Sequence, residues 1–345
     1  MKLFKIAVDG MGGDFAPEQI VKGTMQALEK FADIEVTIFG DKNKMAPFLK
    51  PNDRLKVVHT EHFLDMGVEN PVLEYRKNKE HSMFKAMKYV ADGNASAVVT
   101  AGPTQAVVVG GQLILKKMAN MRRAAIAPII PSYDGRGRIL LDSGANVDLE
   151  AHHLLDLAIY AKIVAEEVLG RENASVGLIN IGSEETKGRE LERAAFEMFT
   201  NSPQINFYGN LEPTEVFTST ADIYITDGFT GNIVMKTMEG TAKGLGKVIS
   251  REFKKNIFTK IRYLFVRKQM NNFKKSLDAS EIGGALVIGL NHVLIKAHGS
   301  SSDFAFYNAI RQARSMIERE VIQRVEKALT EKEWESERVT WKIRN

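Results

Sequence analysis

The stretch Ser175–Glu190 contains residue types well suited to binding an anion. Val176–Ile181 is a short apolar run rich in β-branched residues, which predicts a strand. The run stops at a Gly-Ser pair, and an amphipathic helical pattern over 184–199 follows. With Ser183 as N-cap, the backbone N–H groups of the first turn would attract an anion, and Lys187 would add a positive charge. The stretch predicts a phosphate or oxyanion site; the alternative is an ordinary strand-to-helix turn with a solvated lysine.

Glycine, hydroxyl and amide residues also follow other predicted strands. In open α/β sheets ligands gather beyond the carboxyl ends of the strands, so these residues are expected at one edge. They are Asp9, Gly12 and Gly13 after the first strand, Asp227, Gly228, Thr230, Gly231 and Asn232 after the strand at 222–226, and His298, Gly299 and Ser300 after the strand at 293–296. With Lys187 they are suited to hold a phosphate and a polarised carbonyl oxygen without a protein nucleophile. His298 is equally explained as a structural hydrogen bonder.

Several familiar site patterns are missing from the sequence. After Gly10 and Gly12 the third glycine of a dinucleotide fingerprint does not occur. No phosphate-loop, nucleophile-elbow or metal-ligand spacing is found. His152 and His153 are adjacent on a predicted helix and therefore face different directions, which argues against a shared metal ion. We expect neither a nicotinamide cofactor nor a metal.

The elements that must position these residues alternate along the chain. Strand-like runs occur at 5–8, 35–39, 55–59, 97–100, 126–130, 176–181, 205–208, 222–226 and 293–296. Helical patterns lie between most of them, at 17–31, 83–91, 106–118, 149–169, 184–199 and 231–253. Such alternation indicates βαβ units and predicts an α/β fold whose mostly parallel sheet is covered on both faces. No repeat and no low-complexity linker divides the chain, so we expect one α/β catalytic domain over residues 1–345.

The composition excludes several classes of protein. The 345 residues are 44% hydrophobic and 26% charged, as in ordinary soluble globular proteins. The chain has no cysteine, which excludes disulfides, thiolate metal sites and cysteine nucleophiles. A net charge of +4 is too small to indicate nucleic acid by itself. There is no secretory signal pattern and no apolar run near the ~20 residues that span a bilayer, so we expect a cytoplasmic or peripheral protein.

Residues 253–277 combine bulky apolar side chains with eight lysines and arginines and no acidic residue. The apolar positions that recur at helical spacing are Phe253, Ile257, Phe258, Ile261, Leu264 and Phe265. This pattern is typical of a helix in an anionic membrane interface or against an acidic partner; the alternative is packing across a dimer interface. Nucleic acid is disfavoured, because the aromatic residues lie on an apolar face and do not form a flat stacking platform.

Motifs spread over almost the whole chain resemble those of the phosphate acyltransferases of the PlsX type. They are 8–17, 70–71, 141–148, 180–185 with 187–188, 227–232 and 297–301. The resemblance implies synthesis of acyl-phosphate from acyl-[acyl carrier protein] and inorganic phosphate, without a cofactor, for phospholipid synthesis. It further implies a homodimer and a three-layer α/β/α fold related to phosphotransacetylases and to the isocitrate and isopropylmalate dehydrogenases. A protruding helical hairpin at 245–282 would touch membrane, and a membrane glycerol-3-phosphate acyltransferase would take the product.

The resemblance also suggests residue roles. Lys187 and the helix start at Ser183 would bind phosphate and a developing oxyanion. Asn232 would donate to the thioester carbonyl oxygen or orient phosphate, and His298 would protonate the departing sulfur. The remaining residues at the strand ends would contact substrate or anchor the loops.

The chain departs from the family pattern at 101–106, where Pro103 and Gln105 replace residues of a usual Ala-Gly-Asn/Ser-Thr-Gly-Ala. Gly10, where alanine is usual, is a milder change. Two alternative functions stay open. One is a phosphotransacetylase-like enzyme that uses short-chain acyl-coenzyme A and shares the fold and chemistry; the other, which the Pro103 and Gln105 departures favour, is a membrane-associated scaffold without turnover. An NAD-linked dehydrogenase is disfavoured, because only the fold suggests it.

Overall fold

The structure, a computed structural model, describes residues 3–256, 258–259, 263, 265–270 and 283–331. These residues form an α/β fold with mostly parallel strands, which confirms the fold class expected from the sequence. The strands, however, belong to two sheets of seven and five strands and do not form one continuous sheet.

The first sheet has the strand order β3-β2-β1-β4-β12-β11-β5. Its strands are β1 (Phe4–Asp9), β2 (Ile34–Gly40), β3 (Leu55–His59), β4 (Ala97–Thr100), β5 (Ala125–Ala127), β11 (Ala285–Ile288) and β12 (Val293–Lys296). The strands from β3 to β12 pair in parallel, and β11 is antiparallel to both of its neighbours. Lys296 pairs with Thr100, so the loops that follow β4 and β12 leave the sheet at the same level.

The second sheet has the order β6-β7-β10-β8-β9. Its strands are β6 (Ile129–Ile130), β7 (Arg138–Leu141), β8 (Ser175–Ile179), β9 (Asn206–Leu211) and β10 (Ile223–Ile225). Only β6 is antiparallel to its neighbour. Leu141, Ile225 and Leu178 lie side by side at the ends of three strands, so the loops after them share one edge.

Helices cover these sheets. They are α1 (Glu18–Lys30), α2 (Lys42–Met45), α3 (Pro71–Lys77), α4 (Ser82–Ala91), α5 (Thr104–Gly110), α6 (Ala151–Glu167), α7 (Glu190–Thr200), α8 (Gly228–Lys254) and α9 (Asp303–Glu318). Residues 321–331 are also helical. Helices α1 and α9 pack closely because Gly23 has no side chain: a Cβ there would lie 2.5 Å from the carbonyl oxygen of Asp303.

The two sheets share a continuous apolar core. One buried cluster contains Ile6 and Val8 of the first sheet together with Leu141 and Val176 of the second. The chain passes from one sheet to the other at Pro128, between β5 and β6. Since proline has no backbone N–H and cannot donate within a sheet, the single strand predicted at 126–130 divides there.

The helix predicted at 184–199 begins later than its pattern indicates. Helix α7 starts at Glu190, and residues 181–189 form an irregular loop. The buried amide of Asn180 holds this loop: its Nδ2 donates to the carbonyl oxygen of Lys187 (3.1 Å) and its Oδ1 accepts from Ile181 (2.8 Å). The expectation that Ser183 caps a helix is therefore wrong.

Helix α8 runs for 27 residues, and its only buried residues are Gly228 and Gly231 of the first turn. Near the C-terminal end of α8, the Phe253 ring packs against Tyr263 (centroids 5.1 Å apart). Phe258 and Phe265, which follow the helix, are exposed. Ile257, Ile261 and Leu264, which were predicted to contact membrane, lie outside the described residues, as do residues 271–282 of the predicted hairpin at 245–282. No helix in the described part of the chain is long and apolar enough to cross a membrane.

Candidate active site

The edge of the first sheet is organised by the carboxylate of Asp9, which is 1% exposed at the end of β1. It accepts hydrogen bonds from the hydroxyls of Ser82 (2.6 Å) and Thr100 (2.7 Å) and from the backbone N–H of Met11 (3.2 Å). Burial raises the pKa of Asp9, and these hydrogen bonds oppose that shift. Every carboxylate oxygen is thus engaged within the protein, so Asp9 acts as an anchor of the loop.

The glycines predicted near this edge allow backbones to meet. A Cβ on Gly12 would lie 2.7 Å from the backbone nitrogen of Gly102. Gly13 has a φ of +108°, and the carbonyl oxygen of Gly299 accepts a hydrogen bond from the Asp14 N–H (2.8 Å). The loops after β1, β4 and β12 therefore form one continuous rim, which contains Gly12, Gly13 and Gly299.

The imidazole of His298 lies exposed on this rim, and its Nδ1 accepts a hydrogen bond. The backbone N–H of Ser300 donates to Nδ1 (3.2 Å), and the Ser300 hydroxyl lies 2.9 Å from the same atom. Desolvation lowers the pKa of His298, and the positive charge of Lys296 lowers it further. The ring is therefore neutral near pH 7 with its proton on Nε2, a hydrogen-bond donor rather than a ready acid.

The edge of the second sheet is organised by Asp142, which directly follows β7 and is fully buried. Its two oxygens accept from the backbone N–H groups of Gly144 (3.1 Å), Ala145 (3.0 Å) and Asn146 (2.7 Å), and from the Asn146 amide (2.8 Å). Burial raises the pKa of Asp142, with the loop's hydrogen bonds acting in the opposite direction. These contacts hold residues 143–146 in a tight turn.

The first turn of α8 packs directly on that turn. Asp227 is its N-cap and accepts from the Thr230 N–H (2.7 Å), while Gly228 donates to the carbonyl oxygen of Asn146 (2.8 Å). A Cβ on Gly228 would lie 2.4 Å from that oxygen, and one on Gly231 would lie 1.9 Å from the Asp142 carbonyl oxygen. Glycine is therefore required at both positions for the helix to approach the loop.

The amide of Asn232 is held by the same loop. Its Nδ2 donates to the carbonyl oxygen of Ser143 (3.1 Å), and it lies against Gly144, whose φ is +129°. One N–H of Asn232 is thus used by the protein. An amide nitrogen carries two hydrogens, so the second can donate to a ligand oxygen.

Lys187 lies on the loop 181–189, where it is half-exposed and 3.9 Å from a carboxylate oxygen of Glu184. Ser183 lies on the same loop, not at a helix start. The nearby Arg189 pairs with Glu192 and with Asp227, so this loop is joined to the start of α8. These two carboxylates raise the pKa of Arg189, which stays charged. Arg189 was not predicted as a site residue, although its guanidinium links the loop 181–189 to the start of α8.

One face of α8 extends from Asn232 toward the rim of the first sheet. Lys236, Glu239 and Lys243 follow Asn232 at helical spacing, and their charges act on the pKa of His298. The cationic face of α8 therefore lies near enough to the rim of the first sheet for its charges to act on His298, and the Asn232 amide precedes that face by one turn. Cations and an amide donor in this arrangement suit a phosphate and an oxyanion.

The structure thus brings the predicted residues together in two groups. Asp9, Gly12, Gly13, His298, Gly299 and Ser300 form the first edge, and Asp227, Gly228, Thr230, Gly231 and Asn232 form the second. Lys187 joins the second group through Arg189. Asp142 and Lys296 were missed as site residues, although each stands at a strand end, where ligands gather. Among the described residues, no group of three His, Asp or Glu side chains is arranged to hold a metal ion.

Sequence comparison finds similar proteins over nearly the full length. A family model described as "Fatty acid synthesis protein" matches residues 4–324. A phosphate acyltransferase of Acholeplasma laidlawii is 50% identical over 329 residues, which are 95% of this chain and 98% of that protein. A phosphate acyltransferase of Anoxybacillus flavithermus is 39% identical over 95% of this chain and 99% of its own length.

Solved structures with a similar fold are much more distant in sequence. A phosphotransacetylase from Streptococcus pyogenes superposes with a TM-score of 0.61 at 16% identity, covering 91% of this chain and 94% of that one. A branched-chain phosphotransacylase from Enterococcus faecalis gives a TM-score of 0.57 at 14% identity, with 91% and 99% covered. At this level of identity the likeness shows a common fold.

Proposed function

Because this chain belongs to the fatty acid synthesis protein family and is a phosphate acyltransferase, we propose that its acyl donor is a long-chain thioester of acyl carrier protein. Phosphate is the acceptor, and the products are acyl-phosphate and free carrier protein. The observation that supports acyl transfer to phosphate in this site is the position of Asn232, whose amide contacts the 142–146 loop at the start of α8.

The reaction needs little from the protein besides binding. A phosphate oxygen attacks the thioester carbonyl carbon, the C–S bond breaks, and the electron pair leaves with the carrier's thiolate. Phosphate is already an anion at neutral pH, so the site must hold it and stabilise the oxyanion that forms on the carbonyl oxygen. This agrees with a site rich in donors and cations.

Specific residues suit these tasks. The free N–H of Asn232 would donate to the carbonyl oxygen or to phosphate, and Lys187 would approach the phosphate from the neighbouring loop. His298 would donate its Nε2 hydrogen to an oxygen of the reacting group, since its Nδ1 already accepts from Ser300. A neutral His298 is a poor acid, so the thiolate would leave largely unprotonated.

The proposed partners follow from charge. Lys236 and Lys243 on α8, and the basic residues of 253–277, would meet the acidic surface of acyl carrier protein or an anionic membrane. Exposed Phe258 and Phe265 suit a peripheral membrane contact of a cytoplasmic homodimer. The acyl-phosphate would then serve a membrane glycerol-3-phosphate acyltransferase in phospholipid synthesis.

The test is phosphate-dependent release of the carrier thiol from long-chain acyl-[acyl carrier protein], beside the same assay with acyl-coenzyme A. We expect release from the carrier substrate, with the product trapped as acyl-phosphate. Release only from acyl-coenzyme A would replace the proposal with a phosphotransacetylase-like activity. Release from neither would indicate a scaffold.

Two variants examine the assigned roles in that assay. Asn232→Ala is expected to lower kcat about 10²–10³-fold, as for the loss of one oxyanion donor. Lys187→Ala should raise the KM for phosphate. The matched control is Asn201→Ala, because Asn201 is an exposed asparagine just after α7 whose amide donates to the carbonyl oxygen of Glu197. If Asn232→Ala turned over like Asn201→Ala, Asn232 would have no role in the reaction.

A further inference from the structure

Lys296 is a cation at the ligand-binding end of the first sheet and has no role in the acyl transfer proposed above. It is the last residue of β12, beside Thr100 of β4, and is partly buried. Its Nζ donates to the carbonyl oxygen of Ala297 (3.1 Å). In the described part of the chain, no carboxylate oxygen lies within 4 Å of this ammonium group.

The charges around Lys296 come from three different elements. Asp14 lies on the loop after β1, Lys236 and Glu239 lie on α8, and His298 follows Lys296 on its own loop. The Glu239 carboxylate is shared, because it also pairs with Lys236 (3.3 Å). Lys296 therefore lies between the rim of the first sheet and the cationic face of α8.

An ammonium group in this position is only weakly compensated. Desolvation and the repulsion from Lys236 lower the pKa of Lys296 to about 8, against attraction from Asp14 and Glu239. Structural lysines are normally solvated or paired with a carboxylate. An arriving dianion would supply the missing partner and would favour the charged form.

We propose that Lys296 binds the phosphate substrate directly, from the side opposite Asn232 and Lys187. This assignment rests on the proposed function, because it places phosphate in the space between the two sheet edges. Phosphate would then be held by cations of both sheets, with Lys236 of α8 between them. The position agrees with the register of β12 and β4, which brings Lys296 to the level where the loops begin.

The proposal makes the affinity for phosphate depend on the protonation of Lys296. Only the ammonium form attracts the dianion, so the KM for phosphate should rise about tenfold per pH unit above the pKa of Lys296. Asp14, Lys236, Glu239 and His298 are the other charged or titratable groups that face it. Replacing the lysine with a permanently charged arginine should flatten this profile.

The experiment measures the KM for inorganic phosphate in thiol release from acyl-[acyl carrier protein], between about pH 7 and pH 10. Lys296→Met is expected to raise this KM at pH 7 by about 10- to 100-fold, the effect of losing a charged hydrogen bond. Lys296→Arg should keep a KM that varies little with pH. Lys5→Met is the matched control, since Lys5 is an exposed strand lysine at the opposite end of the same sheet.

The outcomes separate this proposal from the proposed function. If the wild type releases thiol but Lys296→Met keeps the wild-type KM for phosphate, Lys296 is not a phosphate ligand and the function stands. A KM profile of Lys296→Arg as steep as that of the wild type would also overturn the assignment. If the wild type releases no thiol, the proposed function itself fails. Should neither variant fold, the wild type alone decides. A KM for phosphate that does not change with pH would overturn the role of Lys296, and a KM that rises with pH would support it.

Discussion

Asp9 at the edge of the first sheet and Asp142 at the edge of the second are both buried carboxylates at a strand end. Their hydrogen-bond partners differ in origin. Asp9 accepts from hydroxyls of α4 and β4, which are 73 and 91 residues away in the sequence. Asp142 accepts mainly from the backbone N–H groups of Gly144, Ala145 and Asn146, and also from the Ile126 N–H of β5 (3.2 Å). Asp9 therefore ties distant elements together, whereas Asp142 mainly shapes a local turn and adds one contact to β5.

We therefore expect Asp9 to matter most for the stability of the fold and Asp142 most for the position of Asn232. Loss of the Asp9 contacts would loosen three elements of the first sheet, whereas loss of the Asp142 contacts would release one loop beneath Asn232. The first sheet edge additionally carries the poorly compensated Lys296, whereas at the second edge Arg189 is paired with two carboxylates and Lys187 lies 3.9 Å from Glu184. The loop and the helix start of the second edge are thus fixed by ion pairs within the protein, and the first edge carries a cation without a close carboxylate among the described residues.

The largest effect is expected from Gly231→Ala, because the new Cβ would lie 1.9 Å from the backbone carbonyl oxygen of Asp142. Helix α8 would have to move away from the 142–146 loop, at about 3 kcal/mol or more of unfolding free energy. Thermal unfolding and thiol release should both show a severe loss. An unchanged melting temperature would contradict the close packing described for the second edge.

A smaller effect on stability is expected from Asp9→Asn. The amide nitrogen would face the Thr100 hydroxyl, which already accepts from the Gly102 N–H, so a charged hydrogen bond is lost. We expect about 1.5–3 kcal/mol less unfolding free energy in urea denaturation. The comparison between the edges would be wrong if Asp142→Asn destabilised the fold more than Asp9→Asn.

Asp142→Asn is expected to act on turnover more than on global stability. Its new amide group would meet the N–H groups of Asn146 instead of accepting from them, so the loop that positions Asn232 would rearrange. We expect kcat to fall about tenfold or more, since misplacement near the chemistry is costly in rate. Steady-state kinetics together with an unfolding curve would show whether the two effects separate.

The pH dependence of stability should reveal Lys296 in phosphate-free buffer. Its pKa is about 8 in the folded protein and 10.5 ordinarily, so between these values the unfolded chain binds more protons. The unfolding free energy of the wild type should therefore rise with pH in this interval, relative to Lys296→Met. Parallel curves for the two proteins would show that the lysine is not buried as described.

The smallest effect is expected from Gly240→Ala, the control for Gly231→Ala in the same helix. A Cβ at Gly240 meets no atom of the described residues within 4 Å. Alanine has a higher helix propensity than glycine, so we expect a gain of up to about 1 kcal/mol in unfolding free energy. A loss comparable to that of Gly231→Ala would mean that any substitution in α8 is harmful.

Much of the local structure could be read from the sequence. The strands at Leu55–His59, Ala97–Thr100 and Val293–Lys296 were predicted with their observed bounds, because their apolar runs end at clear polar or glycine residues. Strands β7 and β11 were missed. Each has four residues and is largely buried, and so shows no alternation to distinguish it. The membrane-contact residues 257, 261 and 264 stay predictions.

The sequence by itself determined that strands and helices alternate and that glycine and polar residues stand at the strand ends, because backbone preference and hydrophobic period are local properties. The tertiary structure decided that the strands divide into two sheets at Pro128 and that α7 begins at Glu190 and not near Ser183. It also decided that the loop after Asp142 holds the Asn232 amide and that Lys296 lies near the charges of Lys236 and Glu239 on α8. These facts depend on which distant strands pair and on the desolvation their packing imposes, and neither is encoded in the spacing of residues along the chain.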